Sequence, residues 1–305
     1  MNIVYINRKT GQKEVERVYK NKALLFLYGD HWLSKQMSKS ILPMIAKLSF
    51  FSQFYGFLQK QPSSRKKIRS FIEYFQVDES EFLEPVHTFK SFNDFFIRRL
   101  KLEARPIFAE TNTAVIPADG RYYFYQNINL SQGFVIKDKK FCLTSLLQSE
   151  KLASLYLEGS MVIARLCPSD YHRFHFPCDG VPGPSALING WLYSVNPIAI
   201  QKNLEIFTQN KRMLCEIETH LFGRVLYIEV GATCVGSIQQ TYTPGQNYIK
   251  GQEKGYFEFG GSCVILLFPK DRIAFDADLI NATEHGFEMR CQMGESMGKV
   301  VCPKM

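Results

Sequence analysis

No stretch of the 305 residues stays apolar for the roughly 20 residues that a bilayer-crossing helix needs. The nearest approach, 41–58, is interrupted by Lys47, Ser49, Ser52 and Gln53. The first 18 residues carry Arg8, Lys9, Lys13 and Arg17 and no apolar core of a secretion signal, so secretion is not expected. Eight cysteines are scattered between Cys142 and Cys302 with no CxxC pair, which argues against a zinc ribbon and against a disulfide framework. There is no HExxH pair, no repeat at solenoid or propeller periods and no low-complexity tract. Acidic residues are in deficit, 29 against 37 lysines and arginines, for a net charge of +8. That excess suits an anionic partner: nucleic acid, a membrane surface or an acidic small molecule. No basic–aromatic module of the nucleic-acid repertoire is recognisable, so nucleic-acid binding is not expected.

The chain has an ordinary globular apolar content of 46%. Its character changes near residue 105. Before that point helical patterns dominate, around 21–33, from Pro43 onward and over 64–75. A helix over 41–58 would gather Ile45, Leu48, Phe51, Phe54, Tyr55 and Leu58 on one broad face, followed directly by Arg65, Lys66, Lys67 and Arg69. Apolar surface beside Lys and Arg is what an interfacial membrane helix requires, although a helix packed on its own domain has the same pattern. After residue 105 come short β-like runs: 113–116, 121–125, 160–166, 224–230, 237–242 and 263–268, with helices expected over 144–157 and after Pro197.

Three segments hold groups that could carry chemistry. Pro117-Ala118-Asp119-Gly120 puts an aspartate on a turn between two strands. The run from Pro168 to His175 places two of the six histidines, His172 and His175, three residues apart beside Asp170 and Arg173. In a helical turn they would share a face; in a strand they would point apart. The pair fits acid/base chemistry better than zinc, for which no further ligand cluster is evident. In Gly260-Gly261-Ser262-Cys263, glycine permits close or strained backbone, and a serine hydroxyl there could attack the preceding carbonyl if a base took its proton. The bland alternative is a turn entering a buried strand.

Together with Phe92 to Leu100, Ala104-Arg105-Pro106, Leu192 to Pro197, Val230 to Ser237 and Lys250 to Gly255, these segments occur in an order that resembles the phosphatidylserine decarboxylase family. The resemblance runs from about residue 90 to the C-terminus. It implies a serine-protease-like trio of Asp119, His175 and Ser262 that cuts the chain between Gly261 and Ser262. His175 would serve as base and Asp119 as its orienting carboxylate. Ser262 would become a pyruvoyl group, the cofactor, which forms a Schiff base with the substrate amine and accepts electrons as CO2 leaves. His172 would return the proton, with Asp170 supporting the histidine segment. The family often has threonine after the serine and leucine two before it, where this chain has Cys263 and Gly260.

The expectation is therefore an α+β fold, a β-rich core of short strands with a helical N-terminal membrane-associating region. The regions would be 1–90, helical, and 91–305, catalytic, yielding a β chain 1–261 and an α chain 262–305 that stay associated. The resemblance implies phosphatidylserine as substrate, phosphatidylethanolamine as product and an anionic membrane surface as partner. It also implies a peripheral position on the cytoplasmic face of the cell membrane, no metal and a homodimer as a candidate assembly. Arg98 and Arg99 are candidates for contacting the phosphate. Two rival functions are a pyruvoyl enzyme acting on a soluble amine and a β-rich binding module whose exposed lysine would be Lys250 or Lys254.

Overall fold

Side chains alternate between the two faces of a strand, so a strand whose every residue is apolar must be covered on both sides. The run 263–268 is of that kind, and the computed structural model places it, in a strand that begins at Ser262, at the centre of the fold. The structure describes residues 3–17, 49–128, 134–136, 139–195, 205–232, 237–260 and 262–301. The expected helix over 21–33, the first part of the one over 41–58, and Gly261 lie outside them.

In chain order the strands are β1 (Val4–Asn7), β2 (Lys13–Val15), β3 (Thr113–Val115), β4 (Gly120–Tyr125), β5 (Phe134–Ile136), β6 (Lys139–Phe141), β7 (Ser160–Leu166), β8 (Arg173–His175) and β9 (Val181–Pro182). They continue with β10 (Ala186–Ile188), β11 (Arg212–Thr219), β12 (Gly223–Gly231), β13 (Ile238–Gln240), β14 (Glu253–Phe257), β15 (Ser262–Phe268), β16 (Ile273–Phe275), β17 (Glu288–Cys291) and β18 (Ser296–Val300). The main sheet runs β10-β11-β12-β15-β7-β4-β17-β1-β2, with β9 beside β11. Two small sheets, β13-β14-β8 and β16-β18-β3, and the hairpin β5-β6 complete the described strands.

The alternation along β15 divides the interior. Val264, Leu266 and Phe268 join a core with Phe174 and Phe257 from the small sheet that carries His175, and with Phe176 just after it. Cys263, Ile265 and Leu267 join another with Leu146, Tyr156 and Phe207 from short helical segments. A mixed α+β fold with a β-rich core of short strands is thus present. The helix expected over 144–157 is two pieces, Leu143–Leu147 and Glu150–Ser154, broken at Gln148, whose φ is 49°.

The expectation of a helical region over 1–90 is corrected at its start. β1 and β2 form a hairpin, and β1 extends the main sheet by pairing in parallel with β17. Helices do follow, at Ser49–Lys60 and Lys67–Phe75. An aromatic cluster of Phe71, Phe82, Phe89, Phe92 and Phe95 joins that helical part to the segment after residue 90. Phe92 and Phe96 lie 5.2 and 5.0 Å, ring to ring, from Phe259, and the Phe259 amide donates to Asn93 Oδ1 at 2.9 Å. The short helix Phe92–Phe96 therefore clamps the chain three residues before Ser262.

The two layers are pinned by Lys254 of β14, which reaches Glu229 of β12 at 2.6 Å with neither side chain exposed. Gln240 Oε1 takes a second bond at 2.8 Å, and the ammonium stands over the Tyr242 and Tyr227 rings at 4.7 and 4.9 Å. A buried lysine so engaged is no exposed hairpin-tip carrier. Lys250 is held as well, by the carbonyls of Glu110 and Thr113. Removing one partner strands the other's charge in the core. Lys254→Met is therefore expected to cost about 3–5 kcal/mol in denaturant unfolding, and adding Glu229→Leu should restore most of it. A single substitution costing under about 1 kcal/mol contradicts this.

Candidate functional site

β7 runs antiparallel to both β4 and β15, with Arg165 opposite Arg121 and Leu166 opposite Ser262. The start of β4, the end of β7 and the start of β15 therefore meet at one end of the sheet. Asp119 precedes β4, Ser262 opens β15, and the chain leaving β7 holds Asp170, His172 and His175. The approach at this end is close: a β-carbon on Gly120 would lie 2.9 Å from the Arg165 carbonyl oxygen.

Asp119 is held from two sides. Arg105 donates through Nε to Oδ1 at 2.9 Å and through Nη2 to Oδ2 at 2.6 Å, and the Met293 amide donates to Oδ1 at 2.9 Å. Arg105 is itself fixed by Glu81 at 2.9 Å. The turn is tied down by Tyr122 Oη to the Ala118 carbonyl, 2.6 Å, and by the His175 amide to the Pro117 carbonyl, 2.8 Å.

The histidine segment is extended, because β8 pairs with β14 across Glu253↔His175 and Tyr256↔Arg173. The two imidazoles therefore do not share a helical face. His172 Nδ1 lies 2.9 Å from the Asp170 carbonyl oxygen. A carbonyl only accepts, so Nδ1 carries the proton and Nε2 presents a lone pair. Nε2 is buried and has no hydrogen-bond partner, and the ring packs 3.9 Å from Phe96. His175 is stacked on Tyr171 at 5.7 Å, and its Nδ1 is likewise buried and unpartnered. Burial pushes both histidines down to about 4. At neutral pH both are free bases.

Ser262 is fully buried and its Oγ has no partner. By the alternation of β15 its side chain falls on the Val264 side, toward the histidine sheet, while Cys263 points into the opposite core. Gly260, two residues earlier, has φ 142°, a region that a β-carbon makes costly. The structure thus brings Asp119, the histidine segment and Ser262 to one end of the sheet. Asp119 bonds Arg105 and the Met293 amide, and its hydrogen bond to His175 is not formed among the described residues.

Asp170 takes Arg121 Nη1 at 2.7 Å and the Cys167 amide at 2.7 Å. Burial pushes its carboxyl up, but Arg121 and Arg290 outweigh that and hold it below the usual range. Arg98 is buried too, between the rings of Phe82 and Phe95 at 5.1 and 4.9 Å. Arg105 and Arg121 carry no sequence signal of their role: arginines are usually exposed, and nothing in a run such as Ala104-Arg105-Pro106 says that one is not. Among the described residues, no group of three or more His, Cys, Asp or Glu is placed to hold a metal ion.

A family profile described as phosphatidylserine decarboxylase matches residues 92–299. A phosphatidylserine decarboxylase proenzyme of Chlamydia muridarum is 48% identical over 97% of this chain and 97% of its own. Those of Chlamydia pneumoniae and Chlamydia trachomatis are 46% and 43% identical, each over 97% of this chain and 96% and 97% of their own.

The buried histidines fix a pH dependence. Their folded values near 4 lie below the unfolded value near 6.5, so between those limits the unfolded chain binds more protons. Stability is then complete above about pH 6.5 and falls as the pH drops toward 4, by up to about 1.4 kcal/mol per pH unit for each histidine. Denaturant midpoints measured from pH 7 to 5 should show this slope, reduced in His172→Gln and in His175→Gln. An equal slope in all three proteins refutes the assignment.

Proposed function

The chain belongs to the phosphatidylserine decarboxylase family, an enzyme family, and from that premise we propose that it is a self-cleaving, pyruvoyl-dependent decarboxylase that converts phosphatidylserine to phosphatidylethanolamine and CO2. The observation that carries this reading is the company of Ser262: a buried hydroxyl without a partner, at the sheet end where two buried, neutral imidazoles each have one buried ring nitrogen without a partner. Buried polar atoms are rarely left unsatisfied outside sites of chemistry.

In this reading His175, kept neutral by burial, takes the Ser262 proton, and the hydroxyl adds to the Gly261 carbonyl. The amide nitrogen leaves as the ester forms. Loss of the Ser262 α-proton then breaks the ester, freeing a β chain 1–261 with a C-terminal carboxylate and leaving dehydroalanine at 262. Hydrolysis releases ammonia and leaves the keto group. Asp119 acts on the transient imidazolium through its negative charge, and the fork of Arg105 fixes where that charge sits. The pyruvoyl group, once made, supplies a conjugated carbonyl that accepts the electrons released with CO2. The site suits it: residue 262 opens a strand buried on both faces, so water is kept from the reacting carbon.

His172 is the proton donor of the second reaction. With Nδ1 committed to the Asp170 carbonyl, Nε2 is the atom that moves the proton, taking one from the substrate ammonium, which must lose it to react, and giving it to the carbon that has lost CO2. Its low proton affinity makes the imidazolium a strong acid toward a carbanion. Arg121 holds Asp170, and through its backbone the imidazole, in place.

The regions of this reading are 1–90, membrane-facing in part, and 91–305, catalytic, with the α chain 262–305. The helix Ser49–Lys60 supports the membrane side: Phe54, Phe57 and Leu58 are exposed, Phe57 by 57%. Tyr55 of the same helix packs 5.9 Å from Phe259, close to the cut. No described helix is long and apolar enough to cross a membrane. An amphipathic helix lying in the interface, backed by basic residues at a cytoplasmic membrane face, fits these observations.

Intact-protein mass spectrometry tests the processing. The wild type should give two chains separating at Gly261 and Ser262, the smaller with a pyruvoyl N-terminus. Ser262→Ala and His175→Ala should stay uncut, whereas His172→Ala should be cut yet turn over phosphatidylserine at least about 100-fold more slowly. Decarboxylation by uncut Ser262→Ala rules out the pyruvoyl reading, and reversed histidine phenotypes exchange the two roles. A Phe54→Asp/Phe57→Asp variant should sediment less with anionic vesicles than the wild type. Equal sedimentation excludes this helix from the membrane contact.

A further inference from the structure

Among the described residues, the buried arginines on the strands and turns of the site meet counter-charges, but Arg98 does not. Arg105 is paired with Asp119 and Glu81, Arg121 with Asp170 and Glu16, and Arg165 with Glu16 and Glu288. Arg212, also fully buried, pairs with no carboxylate, but its three nitrogens donate to the carbonyls of Leu146, Thr208, Asn210 and Ser145. Arg98 is 4% exposed and makes a single hydrogen bond, from Nη2 to the Ser169 carbonyl at 3.1 Å. Its Nε and Nη1 are buried and unpartnered. The nearby carboxylates, Asp119 and Asp170, are already held by other arginines.

A guanidinium that is buried, charged and short of acceptors is costly unless an anion completes it. Arg98 also lines a cavity of about 300 Å³ whose wall includes Arg99, Arg173, Glu84 and Asp94. Arg99 is committed to Glu84 and Arg173 to Glu253, which leaves Arg98 as the wall's unsatisfied cation. Two residues before it, Phe96 packs on His172, and Arg173 of the cavity wall is that histidine's neighbour in the chain.

We infer that Arg98 is the receptor for the phosphodiester of the substrate headgroup, a specificity-determining contact that uses the fork left open by the fold. This rests on the phosphatidylserine reading. In that headgroup only an ester oxygen and one methylene separate the phosphorus from the carbon that loses CO2. The anion must therefore bind next to the catalytic histidine. The substrate carboxylate is the poorer occupant. Its charge leaves as the carbon–carbon bond breaks, so an ion pair to it stabilises the ground state more than the transition state and slows the reaction. The phosphodiester keeps its charge throughout, and holding it lowers KM with little effect on kcat.

The test uses processed enzyme and detergent-dispersed phosphatidylserine. Arg98→Gln should raise KM roughly 10- to 100-fold, the range for losing charge-assisted hydrogen bonds, with kcat within about threefold. Arg98→Lys, which keeps the charge and loses the fork, should fall between the two. By calorimetry, wild-type enzyme should bind glycerophosphoethanolamine, and Arg98→Gln should lose that binding, while ethanolamine alone should bind neither detectably. Unaltered KM in Arg98→Gln overturns the proposal, as does equal binding of glycerophosphoethanolamine by both proteins. A rise in kcat together with KM assigns Arg98 to the carboxylate instead, and a fall in kcat at constant KM makes it merely structural. If neither variant is cut, Arg98 serves the precursor and the proposal fails. Wild-type protein that is cut but leaves phosphatidylserine unchanged defeats the underlying reading rather than the role of Arg98.

Discussion

Arg121, Arg165 and Cys263 stand in one row across β4, β7 and β15, which puts two guanidinium groups side by side in the interior. Two adjacent buried cations are tolerable only if each is neutralised where it stands. Asp170 neutralises Arg121 and Glu288 neutralises Arg165, while Glu16 lies 2.6 Å from Arg165 and 3.5 Å from Arg121 and so serves both. Glu16 directly follows β2, and Glu288 opens β17. The charge row thus gathers the N-terminal hairpin, the C-terminal part of the chain and the loop after β7 around one point. With Glu16 removed, each arginine would keep one carboxylate, Arg121 with Asp170 and Arg165 with Glu288. The hairpin's parallel pairing with β17 is the backbone counterpart of that requirement.

The dryness that makes those pairs strong also shapes the chemistry beside them. Asp170 is drawn to Arg121, so its backbone carbonyl is positioned to accept a hydrogen bond from His172 Nδ1, and the orphaned Nε2 follows from that. Both histidines are neutral because water is excluded, and Ser262 lacks a partner for the same reason. A fold that satisfied these atoms would be more stable, since each unsatisfied buried group costs about 1–3 kcal/mol. Sequences break the rule of satisfied polar groups where function asks for it.

Much of the sheet was legible from residues alone. The runs 121–125, 160–166, 224–230 and 263–268 are strands within a residue at either end, because apolar runs bounded by Gly and Pro have few other options. The hairpin at 4–15 was not legible. Its strands are four and three residues long, polar in part, and joined to the sheet by a partner more than 280 residues away, which local pattern cannot report. The form of the His172–His175 segment was undecidable for a related reason: β14, about 80 residues later, makes it a strand. Of the site, the turn at Asp119 and the Gly-Ser step were visible as segments. The buried arginines that arrange them were not, since burial of a charge is decided by the partner it meets and not by its own neighbours in sequence.

The departures at Cys263 and Gly260 lie on either side of the expected cut and differ in kind. Cys263 belongs to the alternate set of β15, fully buried among Ile265, Leu267 and Ile163, so a threonine there would meet a different core from the one Ser262 faces. Its thiol is pushed up by burial and behaves as a small apolar group in the core opposite the one Ser262 faces. Gly260 acts through the backbone. At φ 142° it takes a path that leucine, common at this position in the family, would strain to follow. The clamp on Phe259 fixes the chain immediately before that bend, and strand pairing fixes it from Ser262 onward. The bend at Gly260 therefore lies between two fixed points, and the lack of a β-carbon spares it strain.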